Sequence, residues 1–218
     1  RNIWMFSATM PKEIKSLMNV SESLAKLNFE RFEIFNSKNN IRKPAAFIFS
    51  GDTFNGLSIR SLNESDLEYA QINLRILSGL YGILRPYDII EPYRLEMGTK
   101  ISKTLGSSLY DFWKEKITAK LNEEIKNSES TFLFNLASEE YYSVLDFAKI
   151  KCELINFDFK KIKKGKISGI GMMIKKLRGE MAKFIISNKV HSLKKLEEFN
   201  ELGFKFSSFD ETNRKFLF

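Results

Sequence analysis

Apolar residues along the chain alternate between helical spacing and short continuous runs, and the two patterns take turns. Pro11 suits the first turn of a helix after a Thr9 cap, with Ile14, Leu17 and Met18 recurring on one face. A second helix is expected after Ser21, with Leu24, Leu27, Arg31 and Ile34 on one side, ending before the Lys/Asn-rich loop 36–43. Ala45 to Ser50 is an apolar run closed by Gly51 and reads as a buried strand. Ser61-x-x-Glu64 has the form of a capping box, opening a helix that turns Leu67, Ala70, Leu74 and Leu77 inward and runs into Ser78.

Further on, Ser107 is placed to cap a helix carrying Leu109, Trp113, Ile117, Leu121 and Ile125. Thr131 to Leu136 reads as a strand, Ser138 as the cap of a short acidic helix, Glu153 to Phe159 as a strand, and Lys166 to Ile170 as another. A long basic helix is expected from Met173 to Val190 and a shorter one from Ser192, with edge strands at Phe204 to Phe206 and Phe216 to Phe218. This alternation predicts an α/β or mixed α+β class. No repeat, low-complexity tract or long linker divides the sequence, so residues 1–218 are expected to form a single compact domain.

Composition adds three points. With 218 residues, 43% apolar and 20 of them Phe, the chain can bury one substantial core. Cys152 is alone, which excludes an internal disulfide and a Cys-based metal site and fits a reducing, cytoplasmic setting. No run is long and apolar enough for a membrane helix, and no signal-peptide pattern opens the sequence, so a soluble protein without a membrane partner is expected. The sequence starts at Arg1 rather than Met, which suggests a longer natural N-terminus.

Charge is unevenly spread. The net charge is +8, yet residues 149–195 hold 14 Lys/Arg against 3 Asp/Glu, a local +11, while 1–110 hold 14 against 11. A localised basic tract attracts polyanions and binds them in a salt-dependent way. A solvated lysine face explains the same tract without any partner.

The least ordinary segment is Leu77 to Met97. It sets Gly79, Gly82, Pro86 and Pro92 between apolar residues and adds Arg85, Asp88, Arg94 and Glu96. A helix entering Ser78-Gly79-Leu80-Tyr81-Gly82 can turn sharply, and the N–H groups of that turn, with Arg85 beside them, can hold a phosphate oxygen in the manner of a helix-hairpin-helix. The competing reading is a plain helix stop before a strand, with Arg85 and Arg94 bridged to Asp88 and Glu96.

The string Ser78 to Gly98 (SGLYGILRPYDIIEPYRLEMG) resembles the signature of the UPF0246 family of YaaA-like peroxide-stress proteins. Leu17 to Phe32, Gly51 to Leu57, Leu109 to Trp113, Asn135 to Glu140 and Lys175 to Met181 are similar to further family segments, in family order. The resemblance implies a compact α/β fold with a helix-hairpin-helix element and a basic cleft. It also implies binding of duplex or branched DNA without strong sequence preference, and a part in limiting damage from hydrogen peroxide and iron. The family's opening Ser-Pro-x-Lys turn has no match before Thr9. Phe6 to Pro11 mimics a DEAD-box helicase motif, but with no phosphate-binding loop or Asp-Glu-Ala-Asp sequence elsewhere it has no ATP site to serve.

The expected DNA-binding residues are therefore Ser78, Gly79, Tyr81, Gly82 and Arg85 at the turn, with Arg94, Lys175, Lys176 and Arg178 as cleft wall. On the basic helix, positions 175, 176, 179 and 183 share a side while Met172, Leu177, Met181 and Phe184 offer apolar contacts. Gly165, Gly169 and Gly171 form either another phosphate-holding turn or a simple strand-to-helix turn. The alternative function is an enzyme acting on a phosphorylated or nucleic-acid substrate in the same cleft. Its acid/base groups would come from Asp88, Glu91, Glu96, Ser138, Glu139 and Glu140, with Arg94 beside them. His191 is the only histidine and no GxSxG elbow accompanies it, so Ser-His-Asp chemistry, a His/Cys metal site and a cofactor all lack support. Tyr81, Tyr87, Tyr93, Tyr141 and Tyr142 are either base-stacking platforms or core.

Overall fold

Helix α1 (Pro11–Met18) packs its Ile14 and Met18 against α2 (Glu22–Glu33) in a computed structural model that describes residues 11–101, 107–128, 130–163, 166–168 and 171–218. The chain continues through β1 (Lys43–Pro44), α3 (Ala45–Ile48), α4 (Asp52–Leu57), a 3₁₀ turn (Ile59–Ser61) and α5 (Glu64–Asn73). Next come β2 (Ile76–Ser78), β3 (Gly82–Leu84), β4 (Ile89–Ile90), the 20-residue α6 (Leu109–Ser128), β5 (Phe132–Asn135) and α7 (Glu139–Tyr142). The remainder is a second 3₁₀ turn (Phe147–Lys149), β6 (Glu153–Asp158), β7 (Lys161–Lys163), β8 (Lys166–Ser168), α8 (Gly171–Ser187), α9 (Leu193–Leu196), β9 (Asn200–Glu201), β10 (Phe204–Lys205), β11 (Ser208–Asp210) and β12 (Lys215–Leu217). The class is mixed α/β, as the alternating pattern predicts.

Two compact units form, each from discontinuous segments. The first comprises Arg1–Ile48, Arg75–Lys120 and Glu139–Asp146, the second Phe49–Leu74, Leu121–Ser138 and Phe147–Phe218. The first holds the α1–α2 pair, a short antiparallel ladder between β1 and β4 (Lys43 opposite Ile90, Pro44 opposite Ile89), and the β2–β3 hairpin. The second is built on a four-stranded sheet of order β11-β12-β6-β5, in which β5, β6 and β12 run parallel and β11 is antiparallel to β12. Helix α8 covers this sheet through Leu177, Met181 and Ile185, and Phe159, Phe199, Phe204, Phe216 and Phe218 complete the core. Phe159 stacks on Phe218 at 5.5 Å between ring centroids, and Phe199 meets Phe218 edge-on at 5.3 Å.

Several local expectations need correction. Ala45 to Ser50 is not a strand: Ala45–Ile48 is a helical turn whose first two amides donate to Asp88 and Pro86 carbonyls at 2.8 and 3.0 Å. A four-residue apolar run carries no period to separate the two conformations. Helix α5 is capped by Asn63, which accepts from the Asp66 N–H at 2.9 Å, because Ser61 is already committed to the preceding 3₁₀ turn through its bond to the Ser58 carbonyl. Helix α6 is capped by Ser108 rather than Ser107, in a reciprocal pairing with Asp111. In α2 the buried positions are Ala25, Asn28 and Phe32, while Leu24, Leu27 and Ile34 are exposed. Asn28, whose amide donates to the Leu24 carbonyl at 3.0 Å, hides the true inward face from a reading of apolarity alone. The C-terminal Phe segment is no edge: β12 lies between β11 and β6. The strands at 132–135 and 153–158 fall where expected, and α2 and α9 start after Ser21 and Ser192 as predicted. Thr9, the helicase-like Phe6 to Met10, and Gly165, Gly169 and Ile170 lie outside the described residues.

Candidate functional site

Where a helix was expected to run into Ser78, α5 ends at Asn73 and the chain re-enters as a β-hairpin, β2 pairing with β3 in the register Ile76–Leu84, Leu77–Ile83, Ser78–Gly82. Ser78 is 1% exposed and sits beneath the turn it begins. Its hydroxyl oxygen accepts from the Leu80 and Tyr81 N–H groups at 3.2 and 2.8 Å and lies 2.5 Å from the Tyr93 hydroxyl. The turn's own amides are thereby satisfied from inside. Both glycines answer to packing. A Cβ on Gly79 would collide with the Leu95 carbonyl, and Gly82 takes a left-handed φ of +80° with the Trp113 ring against it. The Trp113 indole N–H donates to the Gly79 carbonyl at 2.9 Å.

Beyond the hairpin, Asp88 accepts from the Arg85 N–H at 2.7 Å and closes a second turn. Arg85 is exposed, as are Tyr87 and Ile89, and Phe47 stacks on Tyr87 at 6.0 Å. Glu91, 4% exposed, collects the Asn36 N–H (2.8 Å), the Asn40 side-chain amide (2.5 Å) and Arg42 Nε (3.0 Å), and so ties the 36–42 loop to the signature segment. Its own N–H donates to the Tyr81 hydroxyl at 3.1 Å. Burial raises the Tyr81 phenol above its ordinary pKa and drives that of Tyr93 far above it.

A third group of side chains forms around Arg94. Its Nη2 donates to Glu96 at 2.5 Å, while its Nε is buried with no hydrogen-bond partner among the described residues. Glu140 accepts from the Gly98 N–H at 3.1 Å, and the Tyr110 hydroxyl donates to the Glu140 carbonyl at 2.9 Å. Tyr141 is pushed up to about 12, first by burial and then by the charges of Glu140 and Glu96. Glu96, Glu140 and Arg94 of the expected acid/base set are thus gathered in the first unit. Asp88 is spent on the 85–88 turn and Glu91 on holding the 36–42 loop.

In the second unit, α8 lies against α4 with almost no space between their backbones. A Cβ on Gly56 would meet the Lys176 carbonyl, and one on Gly179 would meet the Thr53 carbonyl. Each clash involves rigid backbone, so only glycine fits. Position 179, expected to share a side with the lysines, faces α4 instead. Lys175 and Lys176 are exposed and form no ion pair among the described residues, whereas Arg178 is partly buried and engaged. His191 is exposed and edge-on to Tyr69 at 6.2 Å.

The expected site residues therefore divide by unit. Ser78, Gly79, Tyr81, Gly82, Arg85 and Arg94 belong to the first, Lys175, Lys176 and Arg178 to the second. Trp113, Tyr110 and Tyr141 do not stand out in the sequence as partners of the signature segment. They come from α6 and α7, and only the family-like strings Leu109 to Trp113 and Asn135 to Glu140 hint that these stretches matter.

Comparison with known proteins gives one consistent result. The family model described as peroxide stress protein YaaA matches residues 3–209. A UPF0246 protein of Aliivibrio fischeri (strain MJ11) is 44% identical over 211 residues, covering 95% of this chain and 81% of that protein. One from Legionella pneumophila (strain Lens) is 43% identical over 199 residues, 90% of this chain and 77% of its own length. One from Caulobacter vibrioides (strain NA1000 / CB15N) is 41% identical over 206 residues, 94% and 81%.

Proposed function

The chain belongs to the YaaA family of peroxide stress proteins, and from that membership we propose that it acts by binding the phosphate backbone of duplex or branched DNA with little sequence preference. The observation that carries this reading is the pair Lys175 and Lys176, exposed and without ion-pair partners among the described residues. They lie near the start of a helix inside the tract of local charge +11. The N-terminal end of α8 has no acidic residue in its first turn, so its backbone dipole adds to the lysine charge. The close fit of α4 on α8 holds these lysines on a rigid element. Arg178 and, in the first unit, Arg85 supply further positive charge, whereas that of Arg94 is offset by Glu96. Ser78, Gly79, Tyr81 and Gly82 shape the hairpin that presents Arg85.

Such binding is governed by charge and shape, because lysines on phosphates carry no base information. Each phosphate neutralised releases the cation condensed on it. Iron held at the backbone would be displaced in the same way from the place where its reaction with peroxide damages DNA, which connects backbone binding to peroxide stress.

A fluorescence-anisotropy titration of duplex and four-way-branched DNA over a range of salt concentrations tests the proposal. The expected result is affinity that falls linearly on a log–log plot with salt, similarly for unrelated sequences. No binding at low salt, or binding indifferent to salt, overturns it.

A further inference from the structure

The cluster around Arg94 differs in chemistry from the lysine-bearing helix. Three separate stretches of the first unit meet there: 94–98, the start of α6 and α7. They bring Arg94, Glu96, Tyr110, Glu140 and Tyr141 together. Gly98 marks how closely they converge, since a Cβ there would lie 3.2 Å from the Glu140 carboxylate and 3.5 Å from the Tyr110 hydroxyl. With two carboxylates to one guanidinium the cluster is net negative, which disfavours a phosphate.

It nevertheless has unused hydrogen-bonding capacity. Arg94 Nε is buried without an acceptor, although the Arg94 and Glu96 side chains are 41% and 44% exposed. An orphaned buried N–H is uncommon and costs free energy until an acceptor arrives. A small rotation of the half-exposed guanidinium presents it to one. The Tyr141 phenol keeps its proton at neutral pH and so remains a donor. Glu96 and Glu140 each have a second carboxylate oxygen without a partner among the described residues. The cluster thus offers donors and acceptors together, beside phenol rings, with no net positive charge.

A nucleobase is the complement of that arrangement: flat, uncharged, with acceptors and exocyclic amines on one edge and a π-face for stacking. We propose that the Arg94–Glu96–Glu140–Tyr141 cluster receives an unpaired nucleobase, with Arg94 and Tyr141 donating to its acceptors and a glutamate accepting from its amine. The choice of a base over other flat, neutral ligands rests on the nucleic-acid reading above. The lysines of α8 hold the strand without reading it; this cluster supplies a preference for DNA in which a base is free to leave the stack.

Saturation-transfer NMR on the full chain tests this, using the four 2′-deoxynucleosides and, separately, inorganic phosphate, at salt high enough to suppress backbone binding. At least one nucleoside is expected to receive saturation, and phosphate neither binds nor displaces it. Tyr141→Phe, which keeps the ring and loses one hydrogen bond, weakens that nucleoside about tenfold and leaves low-salt duplex binding unchanged. Lys175→Gln combined with Lys176→Gln does the reverse. No saturation of any nucleoside, displacement by phosphate, or parental affinity in Tyr141→Phe overturns the inference. Nucleoside binding in a protein that fails to bind duplex supports it while removing the backbone reading.

Discussion

Trp113 lies with its ring against the α-carbon of Gly82, so close that a Cβ there would stand 2.7 Å from the indole. The same side chain reaches across the turn to bond the Gly79 carbonyl. Gly82→Ala therefore meets two penalties, a left-handed backbone and an occupied space, and is expected to cost about 2–4 kcal/mol. Trp113→Phe, which loses the hydrogen bond and part of the ring, is expected to cost about 2–3 kcal/mol. Urea unfolding of the two variants measures both, and a loss below about 0.5 kcal/mol in Gly82→Ala would contradict the packing described.

Glu91 is expected to behave as the knot of the 36–42 loop. Glu91→Ala leaves the Asn36 N–H and the Asn40 and Arg42 side chains without their shared acceptor. The expected cost is about 2–4 kcal/mol. Hydrogen exchange should locate the loosening at residues 36–42 before the rest of the first unit is affected.

High pH is expected to destabilise the protein through its buried phenols. Tyr141 ionises near 12 in the folded chain against an ordinary 10.0, and Tyr81 and Tyr93 are shifted in the same direction. Between those values the folded state binds more protons than the unfolded one, so stability is full below pH 10 and declines as pH rises toward 12. Urea midpoints across that range should fall, and Tyr141→Phe should fall less steeply. Phenolate absorbance of the native protein should rise above the ordinary tyrosine range.

Replacing Lys175 and Lys176 together by Gln is expected to lower the salt slope of DNA binding by about 2, near 0.9 for each phosphate that is no longer neutralised. Gly179→Ala leaves those lysines in the sequence but forces α8 away from α4. Its expected signature is lower stability together with weaker DNA binding, seen by comparing melting and anisotropy on one preparation.

Short apolar runs and the 3.6-residue pattern reveal the strands β5 and β6 and the long helices, because in these elements the apolar residues do face the core; that β5 and β6 pair in parallel is visible only in the fold. These signals fail at α2, where a buried Asn interrupts the inward face, and at Ala45–Ile48, which is too short to show a period. The signature segment is recognisable by its glycines and prolines, but what the glycines accommodate is not. Trp113 and the Leu95 carbonyl come to them from 31 and 16 residues away, and no local pattern encodes such an approach. Likewise, the charges of Arg94, Glu96 and Glu140 can be read in the sequence, while their convergence depends on the packing of three separate stretches.

The central place of β12 has a consequence for how the protein is made. Among the described residues, every other strand of the second unit's sheet is synthesised before Lys215–Leu217, yet β11 and β6 have no lateral partner in common until that strand arrives between them. Until then β6 presents an open edge and the Phe-lined interior lacks Phe216 and Phe218. A nascent chain stalled just short of this point would resemble an aggregation-prone intermediate. Translation speed between β6 and β12 should therefore influence the yield of folded protein more than changes at the surface of α1.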